Sequence, residues 1–247
     1  MQIGVEAVLY GIYRAFKKYH GQEIFLTEAL TREAIIAMDK AQGEDKPFFM
    51  YMSHYAVHAP IEKDERYYQK YLDKGLDEKE ASYAALIEGM DKSLGDIMQH
   101  LKEKNLMDNT IILFMSDNGG LSVHSRGGEP HTHNKPLSSG KGSIHEGGIR
   151  VPMIVKWPGV TIPGSTNDNY LIIEDFYPSI LEMAGVEDPP TDQTVDGKSF
   201  TRLLKNNSSR RYRRAKQSGS HKTRKSKSLG RSFDGSSQRG KGTNAHS

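Results

Sequence analysis

Residues 109–120 read NTIILFMSDNGG, an apolar run that stops abruptly at two polar residues and two glycines. The run 109–117 has the length and composition of a buried strand. Ligands of open α/β sheets bind beyond the carboxyl ends of the strands, which is where Asp117 and Asn118 stand. Their carboxylate and amide oxygens suit Ca²⁺ or Mg²⁺. Asp-Asn-Gly is also a common turn composition, and an ordinary turn is the more frequent outcome for such a tetrapeptide alone.

Two further apolar runs predict strands on either side of this stretch. KPFFMYMSHY (46–55) predicts a strand buried on both faces, and RVPMIVKWPG (150–159) predicts a third strand. Helices are predicted at 26–41, 78–104 and 174–184. The alternation of strands and helices predicts an α/β fold with a mostly parallel sheet flanked by helices.

The helical patterns differ in strength. In 78–104 apolar residues recur at alternating steps of four and three, from Tyr83 to Leu101. In 26–41 the pattern places Leu26 and Leu30 on the inner side. The helix at 174–184 is expected to end at Gly185 in a left-handed cap.

Other residues with chemical potential stand after the predicted strands. His58 lies just past the first strand, four residues after His54, and its default role is that of an unliganded loop histidine. Lys141 lies between two glycines in a glycine-rich segment, 119–148, where a lysine could reach a bound anion. On its own it is more often a solvated lysine.

Composition divides the chain into two parts. The body, 1–205, carries 22 basic and 30 acidic residues, whereas the tail, 206–247, carries 12 basic residues and one acidic residue. The tail has almost no apolar residues and is predicted to be disordered. The chain has no cysteine, which excludes disulfides, thiolate metal sites and cysteine nucleophiles.

The sequence contains no stretch that approaches the roughly 20 apolar residues of a membrane span. The first 20 residues lack the basic start and apolar core of a signal peptide. The compartment is therefore left open, and neither a membrane nor a nucleic acid is expected as a partner.

In their order along the chain, the motifs resemble the sulfatase family of the alkaline phosphatase superfamily, whose arylsulfatase-like members hydrolyse sulfate esters. The resembling blocks, within about 24–205, are KPFFMYMSHYAVHAP, TIILFMSDNGG, NKPLSSGKGSIHEGGIRVPMIVKWPG, EDFYPSILEMAG and VDGKSF. The resemblance implies a small-molecule or saccharide sulfate ester as substrate. It also implies a divalent cation, usually Ca²⁺, held by two early aspartates and a late Asp-Asn pair. Members of the family are usually exported.

The resemblance assigns roles to four residues of this chain. Asp117 and Asn118 match the late metal-binding pair. His58 matches a histidine that contacts the sulfate and protonates the departing oxygen, and Lys141 matches a lysine that neutralises an oxygen of the ester. No residue is assigned to an organic cofactor.

Further matches have structural or less defined roles. Glu146 and Arg150 match a block that is mainly structural. Asn134 and Pro136 match a loop near the substrate entrance.

The departures from the family pattern predict an inactive chain. The family nucleophile is a formylglycine made from Cys or Ser in a Cys/Ser-x-Pro-x-Arg motif, and this sequence contains no Pro-x-Arg. The early aspartate pair has no counterpart before Gln22. The family's small final domain has no counterpart either, since the resemblance stops near Lys205 and the basic tail begins there.

These departures predict the carboxy-terminal part of a catalytic domain, cut short or disrupted in frame. Two alternatives stay open. One is a phosphodiester or phosphonate ester hydrolase of the same superfamily, and the other is a non-catalytic fragment with a polyanion-binding tail.

Overall fold

The structure is a computed structural model that describes residues 17–121, 134–186 and 194–206. These residues form six α-helices, two β-strands and three short 3₁₀ helices. In chain order the helices and strands are α1 (Leu26–Gly43), α2 (Glu65–Leu72), α3 (Glu78–Glu103), β1 (Ile112–Met115), α4 (Glu146–Ile149), β2 (Met153–Lys156), α5 (Phe176–Met183) and α6 (Thr201–Asn206). The 3₁₀ helices are Lys17–Tyr19, Met107–Asn109 and Ile173–Asp175.

Helices α1 and α3 confirm two of the predicted helices. α3 begins after Asp77, whose carboxylate accepts hydrogen bonds from the backbone N–H groups of Lys79 and Glu80. The buried face of α1 is made by threonines, alanines and Met38 rather than by the predicted leucines. Leu26 is 44% exposed, whereas Thr31 is buried and its hydroxyl lies 2.5 Å from that of Ser93 on α3.

Helix α2 is attached to its neighbours by the buried carboxylate of Asp64. Asp64 caps α2 by accepting from the backbone N–H of Arg66, and its side chain is ion-paired with the Arg66 guanidinium at 2.6 Å. The same guanidinium also pairs with Glu28 of α1. A Cβ on Gly89 would lie 2.8 Å from the Asp64 carboxylate, so this glycine allows Asp64 to lie against α3.

The two strands pair antiparallel, with Ile112 opposite Lys156 and Met115 opposite Met153. The prediction of parallel strands is therefore wrong for this pair. The two strands confirm the positions of the second and third predicted strands, although both are shorter than expected. Their side chains are mostly half-buried, because only one sheet of two strands is formed by the described residues.

The strand predicted at 46–55 is not formed. Its side chains alternate between half-buried and exposed, and Phe49 and Tyr51 are 73% and 82% exposed. The prediction that both faces of this run are buried is therefore also wrong, because one face is exposed. The alternation itself is that of extended backbone. A strand also needs a hydrogen-bonded neighbour, and no described segment pairs with 46–55.

The segment 172–205, here called the closing segment, confirms the last predicted helix. Its 3₁₀ helix leads into α5, whose last residue is Met183. Gly185, two residues further on, has a positive φ of 74°. The N–H of Val186 donates to the Leu181 carbonyl at 3.0 Å and closes the cap. The Phe200 ring is fully buried and packs edge-on against Phe176 with ring centres 5.2 Å apart.

Within the three described ranges, no helix combines the length and the apolar character needed to cross a bilayer. The tail predicted at 206–247 lies outside the described residues apart from its first residue, Asn206, so the division of the chain into a body and a tail stays a prediction. The same holds for 122–133 of the predicted glycine-rich loop.

Candidate functional site

The residues at the end of β1 leave the sheet through a sharp polar turn. The Ser116 hydroxyl donates to the backbone carbonyl of Asn118 at 2.8 Å. Asp117 is exposed and Asn118 half-buried, and neither side chain bonds to another described residue. The turn therefore holds the backbone, and within the described residues it leaves a carboxylate and an amide without a partner.

Glycines bring two segments of backbone into direct contact beneath this turn. The N–H of Gly119 donates to the Gly148 carbonyl at 2.8 Å, and a Cβ on Gly119 would lie 1.7 Å from the Gly147 carbonyl oxygen. A Cβ on Gly147 would lie 2.2 Å from the carbonyl oxygen of Ser139. No larger residue fits at Gly119 or Gly147 without moving backbone, so these glycines fix the start of α4 against the end of β1.

Asn134 fastens the same turn through its side chain. Its Oδ1 accepts from the N–H of Gly120 at 3.0 Å, and its Nδ2 donates to the Gly120 carbonyl at 3.0 Å and to the Ser139 carbonyl at 3.2 Å. The family resemblance placed this asparagine only near the substrate entrance, without a defined role. No local sequence signal indicates its hydrogen bonds to Gly120, because the two residues are 14 positions apart.

Lys141 lies against the turn that follows β1. Its backbone N–H donates to the Gly120 carbonyl at 3.0 Å. Its side chain is half-buried, and its amine has no partner among the described residues. The structure therefore joins the Lys141 backbone to the loop that carries Asp117 and Asn118. We call residues 116–120 and 134–150 together the site loop.

His58 is exposed and held by the residue that follows it. Its Nδ1 lies 2.6 Å from the Ala59 carbonyl oxygen, so Nδ1 carries the proton and Nε2 is left for other contacts. The Tyr55 hydroxyl donates to the same carbonyl at 3.1 Å, and the Tyr55 and His58 rings lie 5.5 Å apart.

His58 makes no direct contact with Asp117, Asn118 or Lys141 in the described structure, yet its segment approaches the same end of α3. Ser82 of α3 lines a pocket together with Ala59. The hydroxyl of the next residue, Tyr83, lies 3.6 Å from the position of a Cβ on Gly120. The amino-terminal part of α3 therefore lies between the His58 segment and the site loop.

His54 does not join His58. It is half-buried against α3, with Nε2 3.5 Å from the Ser93 hydroxyl, and its Nδ1 is buried without a hydrogen-bond partner in the described structure. Burial lowers the pKa of His54, because the charged imidazolium loses hydration. This histidine is part of the helix packing.

The remaining matched residues lie at the edges of the site loop. Arg150 pairs with Glu146 at 3.1 Å across one turn, on exposed surface, and its guanidinium lies 5.9 Å from the Tyr170 ring centre. Pro136 is exposed in a turn in which the Leu137 N–H donates to the Asn134 carbonyl at 2.9 Å. The positions of Arg150 and Pro136 are compatible with structural roles.

Among residues 17–121, 134–186 and 194–206, no three His, Cys, Asp or Glu side chains converge as metal ligands. The donors of Asp117 and Asn118 nonetheless suit a hard cation, because both are oxygen ligands and neither side chain has a partner among the described residues.

Comparison with known proteins identifies the family. The model of the sulfatase family matches residues 10–186, and the chain belongs to this family. A sulfatase of Formosa agariphila is 36% identical over an alignment of 200 positions that covers 74% of this chain and 34% of that protein. The N-acetylgalactosamine-6-sulfatase of Canis lupus familiaris is 32% identical over 177 residues, 71% of this chain and 32% of the relative.

A solved crystal structure is also similar to this chain in fold. The crystal structure of Ps i-CgsB in complex with k-i-k-neocarrahexaose is 29% identical, with a TM-score of 0.67. The match covers 80% of this chain and 46% of that chain. The general fold is thus that of the sulfatases, and the chain spans about a third of the length of these two relatives.

Proposed function

We propose that this chain supplies the late part of a sulfuric ester hydrolase site. Asp117 and Asn118 bind Ca²⁺, or Mg²⁺ in its place, and His58 and Lys141 bind the sulfate group. The observation that carries the proposal is the contrast within the site loop. Its backbone is locked by Gly119, Gly147 and Asn134, whereas the side chains of Asp117, Asn118 and Lys141 have no described partner.

Each side chain has a defined task in this proposal. A cation bound to Asp117 and Asn118 would withdraw negative charge from the sulfate oxygens. The Lys141 ammonium neutralises an ester oxygen as negative charge develops there. His58 keeps its Nδ1 proton on the Ala59 carbonyl and presents Nε2, which in the imidazolium form gives a proton to the departing oxygen.

The 247-residue chain alone is proposed to be inactive. It contains no cysteine and no Cys/Ser-x-Pro-x-Arg motif, so it holds no precursor of the covalent nucleophile of its family. Turnover requires residues from outside this sequence. The mostly parallel sheet of a complete sulfatase domain would likewise need strands beyond the two that the described residues form.

Cation binding tests the metal proposal directly. Isothermal titration calorimetry of the whole chain with Ca²⁺ should show binding. Asp117→Ala should weaken the Ca²⁺ affinity at least about ten-fold, since a direct ligand is lost. Asp108→Ala is the matched control, because Asp108 is an exposed aspartate at the opposite end of β1. Equal Ca²⁺ affinity of Asp117→Ala and the wild type would overturn the metal proposal.

The proposed inactivity is tested with an aryl sulfate in the presence of Ca²⁺. The wild-type chain should show no turnover above that of His58→Ala. Turnover well above this control would show that a nucleophile exists within the chain, and a preference for a phosphodiester would favour the alternative hydrolase class.

A further inference from the structure

We propose that Asn118 is a site of self-modification, at which the opened chain converts this asparagine to aspartate or isoaspartate. The backbone contact between Gly119 and Gly148 keeps the site unreactive in the folded protein. Asn118-Gly119 is the only Asn-Gly pair in the chain. Glycine favours this reaction in an open chain, because it has no side chain to block its backbone nitrogen and its backbone turns freely.

The reaction needs only the turn itself and water. The backbone nitrogen of Gly119 gives up its proton and attacks the side-chain carbonyl carbon of Asn118, which closes a cyclic succinimide. The bond from this carbon to the amide nitrogen breaks, and the amide nitrogen leaves as ammonia with the proton that Gly119 lost. Water then opens the ring at either of its two carbonyls, which gives aspartate or isoaspartate.

The peptide unit that joins the two residues is held at both ends. Its carbonyl, that of Asn118, accepts from the Ser116 hydroxyl at 2.8 Å. Its N–H, that of Gly119, donates to the Gly148 carbonyl at 2.8 Å. The attacking nitrogen must lose its proton and rotate towards the Asn118 side chain, and both hydrogen bonds oppose this rotation.

Packing around Gly119 leaves no room for the rotation. Gly119, Gly147 and Gly148 are all buried. A Cβ on Gly119 would lie 1.7 Å from the Gly147 carbonyl oxygen and 2.9 Å from the Gly148 Cα. The reaction therefore requires a local opening that separates α4 from the end of β1, and its rate in the folded protein is the open-chain rate multiplied by the fraction of open chains.

The products do not fit back into the closed turn. Isoaspartate adds the side-chain methylene of residue 118 to the main chain, which displaces Gly119 from its contact with Gly147 and Gly148. Both products also replace a neutral amide beside Asp117 with a second carboxylate. Each opening long enough for the reaction is thus recorded permanently in the site loop.

Protection is measured on the whole 247-residue chain against the peptide MSDNGGL, residues 115–121, incubated in the same buffer. Mass spectrometry of proteolytic fragments follows the loss of the Asn118 amide, and electron-transfer fragmentation distinguishes isoaspartate from aspartate. The chain should convert Asn118 at least about ten-fold more slowly than the peptide, since only the open form reacts. Equal rates in the chain and the peptide would overturn the proposal.

Two variants open the contact in different ways. Gly147→Ala places a Cβ 2.2 Å from the Ser139 carbonyl oxygen and should bring the rate close to that of the peptide. Asn134→Ala keeps the glycines but removes the hydrogen bonds to Gly120, and should raise the rate at least about five-fold. Gly95→Ala on α3 is the matched control, because its Cβ meets no atom within 4 Å.

Each further result decides one part of the proposal. The Gly95→Ala chain should react at the wild-type rate, and an acceleration equal to that of Gly147→Ala would overturn the specific role of the glycine contact. Unchanged rates in both Gly147→Ala and Asn134→Ala would overturn the protection. Loss of the amide without any isoaspartate would mean direct hydrolysis by water and would overturn the succinimide route. Circular dichroism shows whether Asn134→Ala keeps its helices, so that its faster reaction reports local opening.

Discussion

The site loop and the closing segment use the same kinds of polar residue in opposite ways. In the closing segment the carboxylate of Asp175 is buried, 1% exposed, and accepts backbone N–H groups from Ile172 and Lys198 at 3.2 and 2.9 Å. In the site loop the carboxylate of Asp117 is exposed and has no described partner. Asp175 stabilises the backbone through its hydrogen bonds, whereas the backbone around Asp117 positions a carboxylate that has no described partner.

This difference separates structural from functional candidates without reference to any relative. A buried polar group with satisfied hydrogen bonds contributes to the fold, and its removal leaves the groups it served unpaired. A polar group that the surrounding structure positions but does not engage is available for a ligand. Asp117, Asn118 and Lys141 belong to the second kind, whereas Asp175 and Asn134 belong to the first.

The comparison predicts its largest effect for the two aspartates. Asp175→Ala should lower the free energy of unfolding by about 3 kcal/mol, because two backbone N–H groups lose their buried acceptor. Asp117→Ala should change it by less than about 0.5 kcal/mol in the absence of Ca²⁺, as for an unengaged surface residue. Urea unfolding followed by circular dichroism measures both. A similar loss of unfolding free energy in the two variants would contradict the proposed difference between the closing segment and the site loop.

The two asparagines of the site loop sharpen the comparison at a smaller scale. Asn134→Ala removes three hydrogen bonds to the backbone and should cost about 2 kcal/mol. Asn118→Ala, its matched control, should cost less than about 0.5 kcal/mol. The measurement is again urea unfolding, without Ca²⁺. A larger loss for Asn118 than for Asn134 would mean that Asn118 has the structural role.

Sequence alone predicted α1, α3, α5 and the turn at the end of β1, because their signals are local. Asp77 before α3 and Gly185 after α5 act on backbone within a few residues. The prediction of a strand at 46–55 was wrong because strand formation depends on residues far away in the sequence. An apolar run specifies extended backbone, but a strand also needs a hydrogen-bonded neighbour, and no described segment provides one.

The buried face of α1 was mispredicted for a related reason. The periodic leucines suggested an inner side, yet Thr31 and Ala34 are buried because α1 approaches α3 closely at Ser93. Side-chain size at a helix contact depends on the partner helix, which the pattern of one helix does not contain. The clamp made by Asn134 also depends on contacts 14 residues away in the sequence.

The smallest effect concerns the closing segment and is tested by pH. Hydrogen bonds from Ser199 and Thr201, together with Lys205, lower the pKa of Glu182 to about 2. A carboxyl whose pKa is lower in the folded than in the unfolded chain stabilises the fold above its ordinary value of about 4.5, and this stability is lost as the pH falls towards 2.

The full shift would correspond to about 3 kcal/mol, but the Glu182 side chain is 41% exposed, and solvent screening reduces the expected contribution to about 1 kcal/mol. Glu182→Gln should therefore be about 1 kcal/mol less stable than the wild type at pH 6, and the two should converge between pH 4.5 and 2. Glu62→Gln, at an exposed position outside the closing segment, is the control. A difference that stays constant over this range would mean that Glu182 acts through packing. The polar contacts of the closing segment would then stabilise the fold without charge, unlike the ion pairs of Arg66 that attach α2 to its neighbours.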